Sequence, residues 1–168
     1  MDLINQLKED GIQKGLCRQW RMKLLPGLSV EDLATLYIKG IDFCISEDYP
    51  TLDFLRKHYK GKCEAYGVFV DDMVREHNMD DVVLNGDCKS ILEYDGFQVA
   101  RIYARHNSEG AVNVSEYAIV TVDAFDNSNL VVATAGNNAQ VIVNIYGNAR
   151  VEVIGSGIKI KKHNKKSY

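Results

Sequence analysis

The chain has 168 residues, of which 46% are hydrophobic and 26% charged, and its formal net charge is −3. This length suits one domain, or a small domain with an appendage, and the composition is that of a globular protein. The weak negative charge provides no overall attraction to nucleic acid or to an anionic membrane. No stretch approaches the roughly 18 unbroken apolar residues of a membrane span, so we expect no membrane association.

The first residues and the cysteines indicate where the protein is kept. The segment from Met1 to Asp10 is acidic and lacks the apolar core of a secretory signal. No Cys-x-x-Cys pair suggests zinc or a redox dithiol. We therefore expect a cytoplasmic protein, or a virion component if the chain is phage-encoded. Its cysteines are expected to be buried free thiols, at Cys17, Cys44, Cys63 and Cys88.

Residues 1–65 are predicted to form a helical cap region of three or four short helices that closes one end of the domain that follows. Ser29-Val-Glu-Asp32 has the pattern of a capping box. An apolar stripe at helical spacing follows it as far as Ile45. Gly40 lies on that stripe, where we expect a neighbouring helix to approach closely. Thr51 is placed to cap the last helix, which is expected to stop at Gly61.

After Tyr66 the apolar period changes from about four to two, which predicts a β-repeat domain over residues 66–160. Apolar pieces of strand length alternate with turn residues such as Asn85-Gly86. We interpret the segment around Val112 and Val114 as a shortened unit. We interpret Met73 to Asp80 as a loop or one helical turn.

Four consecutive units between Ala118 and Ile158 share one pattern. Each unit begins with a small residue, continues with an alternating apolar strand that contains Val, and ends with Asp or Gly before Asn. The last unit lacks the final Asn, and one extra residue, Asn138, separates the second unit from the third. The repeated small residues are Ala118, Ser128, Ala139 and Ala149, and the repeated asparagines are Asn127, Asn137 and Asn148.

Two folds fit units of about ten residues, a β-solenoid of stacked coils and an antiparallel meander that closes into a sandwich. Identity at fixed offsets favours the solenoid, because small residues fit where a coil turns inward and corner asparagines tolerate left-handed backbone. The alternating valines and Leu130 would then fill the interior. We therefore predict an α+β fold, a short helical N-terminal region followed by a repeat-built β-solenoid, with the antiparallel β-sandwich as the alternative.

The pattern from Ala139 to Ala149, Ala-x-Val-x-Val followed by Tyr-Gly-Asn-Ala, resembles the short alanine, valine and glycine-asparagine repeats of small bacterial and phage-encoded proteins. The segments Gly15-Leu-Cys-Arg-Gln-Trp20 and Gly40-Ile-Asp-Phe-Cys44 are similar to the front end of such proteins. The resemblance implies the repeat architecture and an association with mobile elements, and it implies no particular activity.

The best enzymatic candidates are two arginines, a histidine and an acid: Arg101, Arg105, His106 and Asp123. Such residues could act on carbohydrate or another anionic substrate if neighbouring coils brought them together in a cleft. Their spacing matches no motif tied to a mechanism, so we expect them to be ordinary strand and corner residues. No metal-ligand set and no cofactor motif occurs in the sequence.

Apolar side chains at positions expected to face outward define a candidate binding or assembly surface: Phe125, Val131, Ile142 and Tyr146. From them we predict a non-enzymatic structural or binding protein that associates with itself, as a homo-oligomer, or with another protein. An immunity-type protein that uses its acidic body to mask a basic partner is a further alternative. The basic tail, residues 161–168, is expected to be a solvated terminus that discourages end-to-end stacking, and contact with nucleic acid is not expected outside it.

Overall fold

A computed structural model describes residues 2–168 of the chain. It separates into two compact units, one ending at Tyr66 and the other running from Gly67 to Ser167. The first unit is helical and the second is a β-solenoid of parallel strands, so the predicted α+β fold class is confirmed.

The helical unit contains five short α-helices rather than three or four. They are α1 (Leu3–Gln13), α2 (Arg18–Lys23), α3 (Val30–Lys39), α4 (Ile41–Ser46) and α5 (Leu52–His58), followed by a 3-10 turn (Glu64–Tyr66). Within these residues, no helix is both long and apolar enough to cross a membrane.

The predicted capping box at the start of α3 is present. The Asp32 backbone N–H donates to Ser29 Oγ over 3.1 Å, and the Ser29 N–H donates to Asp32 Oδ2 over 3.1 Å. The apolar stripe behind it is divided at Gly40, where α3 gives way to α4. A Cβ at Gly40 would lie 3.3 Å from the Trp20 ring, so the expected close approach occurs and comes from α2.

The solenoid contains eleven strands arranged in two sheets. They are β1 (Val68–Val70), β2 (Met73–His77), β3 (Asp81–Asn85), β4 (Lys89–Tyr94), β5 (Val99–Ala104), β6 (Glu109–Val114), β7 (Ile119–Ala124), β8 (Asn129–Thr134), β9 (Gln140–Ile145), β10 (Arg150–Ile154) and β11 (Ile158–Lys162). Sheet A has the order β1-β3-β5-β7-β9-β11, and sheet B has the order β10-β8-β6-β4-β2.

Successive strands alternate between the sheets, and every strand pairs in parallel with the strand one coil away. Leu92 pairs with Val112, and Val112 pairs with Val132. One coil is therefore two sequence units, one in each sheet. An antiparallel meander would pair consecutive strands, so this register excludes the alternative fold.

The interior is filled as the repeat predicts. Val120, Val122, Leu130, Val132, Val141 and Val143 are buried in a single apolar cluster. The repeated small residues Ala118, Ser128, Ala139 and Ala149 are all buried as well. Each precedes a strand at a corner, where a larger side chain would not fit beside the inward-turning backbone.

The ten-residue period begins before Ala118. Strand β6 pairs with β4 and β8 at a constant offset, so the unit around Val112 is not shortened. The segment from Met73 to Asp80 was expected to be a loop or helical turn, but it contains strand β2. Of its five residues only Val74 is buried, which explains why its apolar alternation was too weak to read.

The corners use left-handed backbone, but not at the three repeated asparagines. Positive φ occurs one residue earlier, at Asp126 (57°), Gly136 (78°) and Gly147 (59°). Asn127 instead continues the coil stacking, since its backbone N–H donates to the His106 carbonyl over 2.9 Å. The prediction that Asn127, Asn137 and Asn148 adopt left-handed backbone was therefore wrong by one position.

All four cysteines are free thiols. Cys44, Cys63 and Cys88 are buried, but Cys17 is exposed, in contrast to the prediction. Cys17 immediately precedes α2, a six-residue helix with no buried residue, so its position offers no core in which to place the thiol.

Replacing Leu130 and Val131, neighbours on β8, tests which side of the strand faces the core. Leu130 is buried in the interior cluster, whereas Val131 points outward and is half-buried. We expect Leu130→Ala to lower the free energy of unfolding by about 2–5 kcal/mol, and Val131→Ala to lower it by much less. Urea denaturation of both variants measures this difference, and equal losses would contradict the assignment of the inner face.

Candidate functional site

Phe125 and Tyr146, predicted to face outward, are buried with exposed fractions of 1% and 5%. They occupy the same corner on successive coils and stack with ring centroids 4.8 Å apart. The His163 ring continues the stack at 4.3 Å from Tyr146. These aromatic side chains hold one coil on the next, and the prediction that they form a binding surface was wrong.

Val131 and Ile142 do not share a surface. Val131 lies on β8 in sheet B and is half-buried, and Ile142 lies on β9 in sheet A with its side chain partly exposed. The sequence predicted both as outward, which is correct, but consecutive units belong to opposite sheets. The four predicted surface residues therefore do not combine into one binding site.

The four enzymatic candidates each bond to a different partner. Arg101 Nε lies 2.9 Å from Asp81 Oδ1, and the buried Arg105 donates from Nη1 to Asn85 Oδ1 over 3.4 Å. His106 Nδ1 accepts from the Gly86 N–H over 3.0 Å. Asp123 Oδ1 accepts from Asn144 Nδ2 over 2.7 Å. Each contact joins neighbouring coils, so these side chains stabilise the stacking.

A polar groove at one corner contains a pair that sequence reasoning missed. His77 Nε2 lies 2.8 Å from Asp95 Oδ2, and Asn78 Nδ2 donates to Asp95 Oδ1 over 2.7 Å. The bond to Asp95 raises the pKa of His77, and the bonds from His77 and Asn78 lower the pKa of Asp95. The pair was invisible in the sequence because the two residues meet only when the coil length is known.

Among residues 2–168, no group of three or more His, Cys, Asp or Glu side chains is arranged to hold a metal ion. Acids at the turns bond instead to the neighbouring coil. Asp71 Oδ1 accepts from the Asp87 N–H over 2.9 Å, and Asp87 Oδ1 accepts from Asn107 Nδ2 over 3.1 Å.

An exposed apolar surface, here called the corner patch, consists of Phe97, Val99, Tyr117 and Ile119. The rings of Phe97 and Tyr117 stack with centroids 5.1 Å apart, and Val99 pairs in register with Ile119. Two coils thus present the same two apolar positions side by side. A search of the sequence for apolar residues that recur at twice the unit length would have found this patch, because Phe97 and Tyr117, like Val99 and Ile119, are one coil apart.

A second exposed apolar surface lies at the last coil and is here called the C-terminal end. Val153 is half-buried, although Val132, its partner one coil earlier, is fully buried. Ile154 and Ile160 are exposed large apolar side chains. Within residues 2–168, the core of the last coil is therefore incompletely covered.

Charge is divided along the solenoid. The segment from Gly67 to Gln98 contains eight acidic and two basic residues, whereas the segment from Ala139 to Ser167 contains six basic residues and one acidic residue. The basic residues near the C-terminal end are Arg150, Lys159, Lys161, Lys162, Lys165 and Lys166. The predicted tail is not a separate segment, because Lys161 and Lys162 belong to β11.

No protein-family model, curated protein or solved structure matches this chain.

The bond between His77 and Asp95 predicts that the stability of the fold depends on pH. Since the folded pKa of His77 is raised, its contribution to stability is present below its unfolded pKa, near 6.5, and is lost as pH rises through the folded value. We expect Asp95→Asn to move the pKa of His77 back toward its ordinary value. NMR titration of the His77 ring measures this shift, and an unchanged His77 pKa would contradict the contact.

Proposed function

We propose that this chain is a non-enzymatic assembly protein whose β-solenoid associates with further copies of itself. The observation that carries the proposal is the open C-terminal end. Among the described residues, β10 pairs only with β8 and β11 only with β9. Each of these strands therefore presents an edge to which no strand of its own sheet is added.

Such an end favours association for two physical reasons. Unpaired N–H and C=O groups along a strand edge are a template for pairing with another chain. Apolar side chains that are covered elsewhere in the solenoid are partly exposed here, including Val151 and Val153. Covering apolar surface contributes about 25 cal/mol per Å², so contact with a partner would complete the burial that the last coil lacks.

The enzymatic alternative loses the geometry that it requires. Arg101, Arg105, His106 and Asp123 are committed to different contacts between coils. The resemblance of the repeat to phage-encoded proteins supports an association with mobile elements, and stacked repeats offer extended surfaces for binding.

Light scattering coupled to size exclusion tests self-association of the full chain. We expect the measured mass to rise above the monomer value of 18.9 kDa as protein concentration increases. The variant Ile160→Glu places an acid among the apolar side chains of the C-terminal end, where Ile160 is 43% exposed. It should shift association to at least tenfold higher concentration, because burying a charge is costly.

The matched control is Ile91→Glu on the outer face of β4, where the side chain is 37% exposed. This variant should associate as the unaltered chain does. A chain that stays monomeric at every concentration would refute self-association, and equal loss of association in both variants would refute the role of the C-terminal end.

A further inference from the structure

We propose that the C-terminal end of one copy binds the corner patch of a second copy. This inference rests on the proposed self-association and names the surface that receives the open end. It makes the contact heterologous, meaning that the two copies use different surfaces. Side chains make this contact, because β5 and β7, which hold Val99 and Ile119 of the corner patch, already have a partner strand on each side.

The corner patch offers apolar area that the solenoid does not cover. Phe97 is 82% exposed, although Ala100 and Ile102 of the following strand β5 are buried. Its ring is held by stacking on Tyr117, and Val99 beside it is exposed as well. Stacking restrains the rings of Phe97 and Tyr117, and the β-branched side chains of Val99 and Ile119 have few rotamers, so this surface loses little conformational entropy on binding.

Acidic groups border the corner patch. Glu116 Oε2 accepts from the Gly96 N–H over 2.8 Å, which holds this carboxylate beside Phe97. Gln98 lies between Phe97 and Val99 in the chain, and its side-chain amide donates to Asp80 Oδ1. Both acids are exposed and both bond to neutral donors, so these hydrogen bonds position their negative charges without neutralising them.

The C-terminal end has the same composition with the opposite charge. Ile154 and Ile160 expose large apolar side chains. Exposed lysines flank Ile160 on β11, at Lys159, Lys161 and Lys162, whereas Ile154 lies on β10 in the other sheet. An apolar centre with a basic border therefore matches an apolar centre with an acidic border, and opposite charges across an interface favour association and fix its orientation.

The same charges disfavour the symmetric alternative. If two C-terminal ends met around a twofold axis, the lysines of one copy would face those of the other, and like charges at an interface oppose association. The acidic coils between Gly67 and Gln98 provide the complementary surface. Since each copy carries both surfaces, the contact can continue into a chain of copies or close into a ring.

A mixing experiment distinguishes the two arrangements. In one variant, Ile160→Glu disrupts binding by the C-terminal end. In the other, Phe97→Lys disrupts binding by the corner patch. We expect each variant alone to self-associate at least tenfold more weakly than the unaltered chain. An equal mixture should form a one-to-one complex in sedimentation velocity, because each variant supplies the surface that the other lacks.

Met73→Lys is the matched control for Phe97→Lys, since Met73 is 84% exposed on β2, outside the corner patch. It should associate as the unaltered chain does. Raising the salt concentration should weaken both the self-association and the mixed complex, because the bordering charges are exposed and screened.

Three results would overturn the inference. If Phe97→Lys associates normally while Ile160→Glu does not, the C-terminal end binds elsewhere and only the proposed function stands. If both variants are monomeric and their mixture also stays monomeric, the contact is not heterologous. If the unaltered chain never associates, the proposed function and this inference are both wrong.

Discussion

The requirement that each coil return the chain to the same two sheets governs this structure. Parallel strands lie about 4.8 Å apart, so each pair of units must advance by one strand spacing and restore the register. Leu92, Val112 and Val132 meet this condition with identical offsets along sheet B. The extra residue Asn138 lies in the turn between β8 and β9, where it lengthens one coil without moving any strand out of register.

The corners follow from this requirement. A chain that turns sharply between two sheets needs residues with positive φ. Asp126 and Gly147 provide them at equivalent corners, and Gly136 provides one at the opposite corner. The residue before the turn then points toward its equivalent on the next coil. That geometry places Phe125 against Tyr146 and Tyr146 against His163. Side chains that resemble surface anchors in the sequence therefore become buried contacts between coils.

Stacking also creates the surfaces on which the proposed function depends. A solenoid satisfies each strand by its neighbours, so within residues 2–168 the last strands, β10 and β11, each keep one unpaired edge. Where an outward apolar residue recurs at the same position of the next coil, as Phe97 does at Tyr117, the two side chains form one apolar patch. Segregation of acids toward the first coils and lysines toward the last gives these two surfaces opposite charge.

The sequence by itself determined the class of fold and the inside of the solenoid. Positional identity from Ala118 to Ile158 predicted stacked coils, and the alternation around Leu130 predicted which side chains are buried. The capping box at Ser29 predicted the start of α3 correctly. These features are local, because strand alternation and helix capping are properties of adjacent residues.

Only the tertiary structure decided which residues meet. The unit visible in the sequence is half a coil, and this fact alone separates Val131 from Ile142 and joins His77 to Asp95. It also decided that Arg101 and Asp123 bond to different neighbours and that the exposed surface lies at Phe97. The physical reason is that contacts between coils depend on the number of residues per turn and on the backbone conformation at each corner, neither of which a linear repeat specifies.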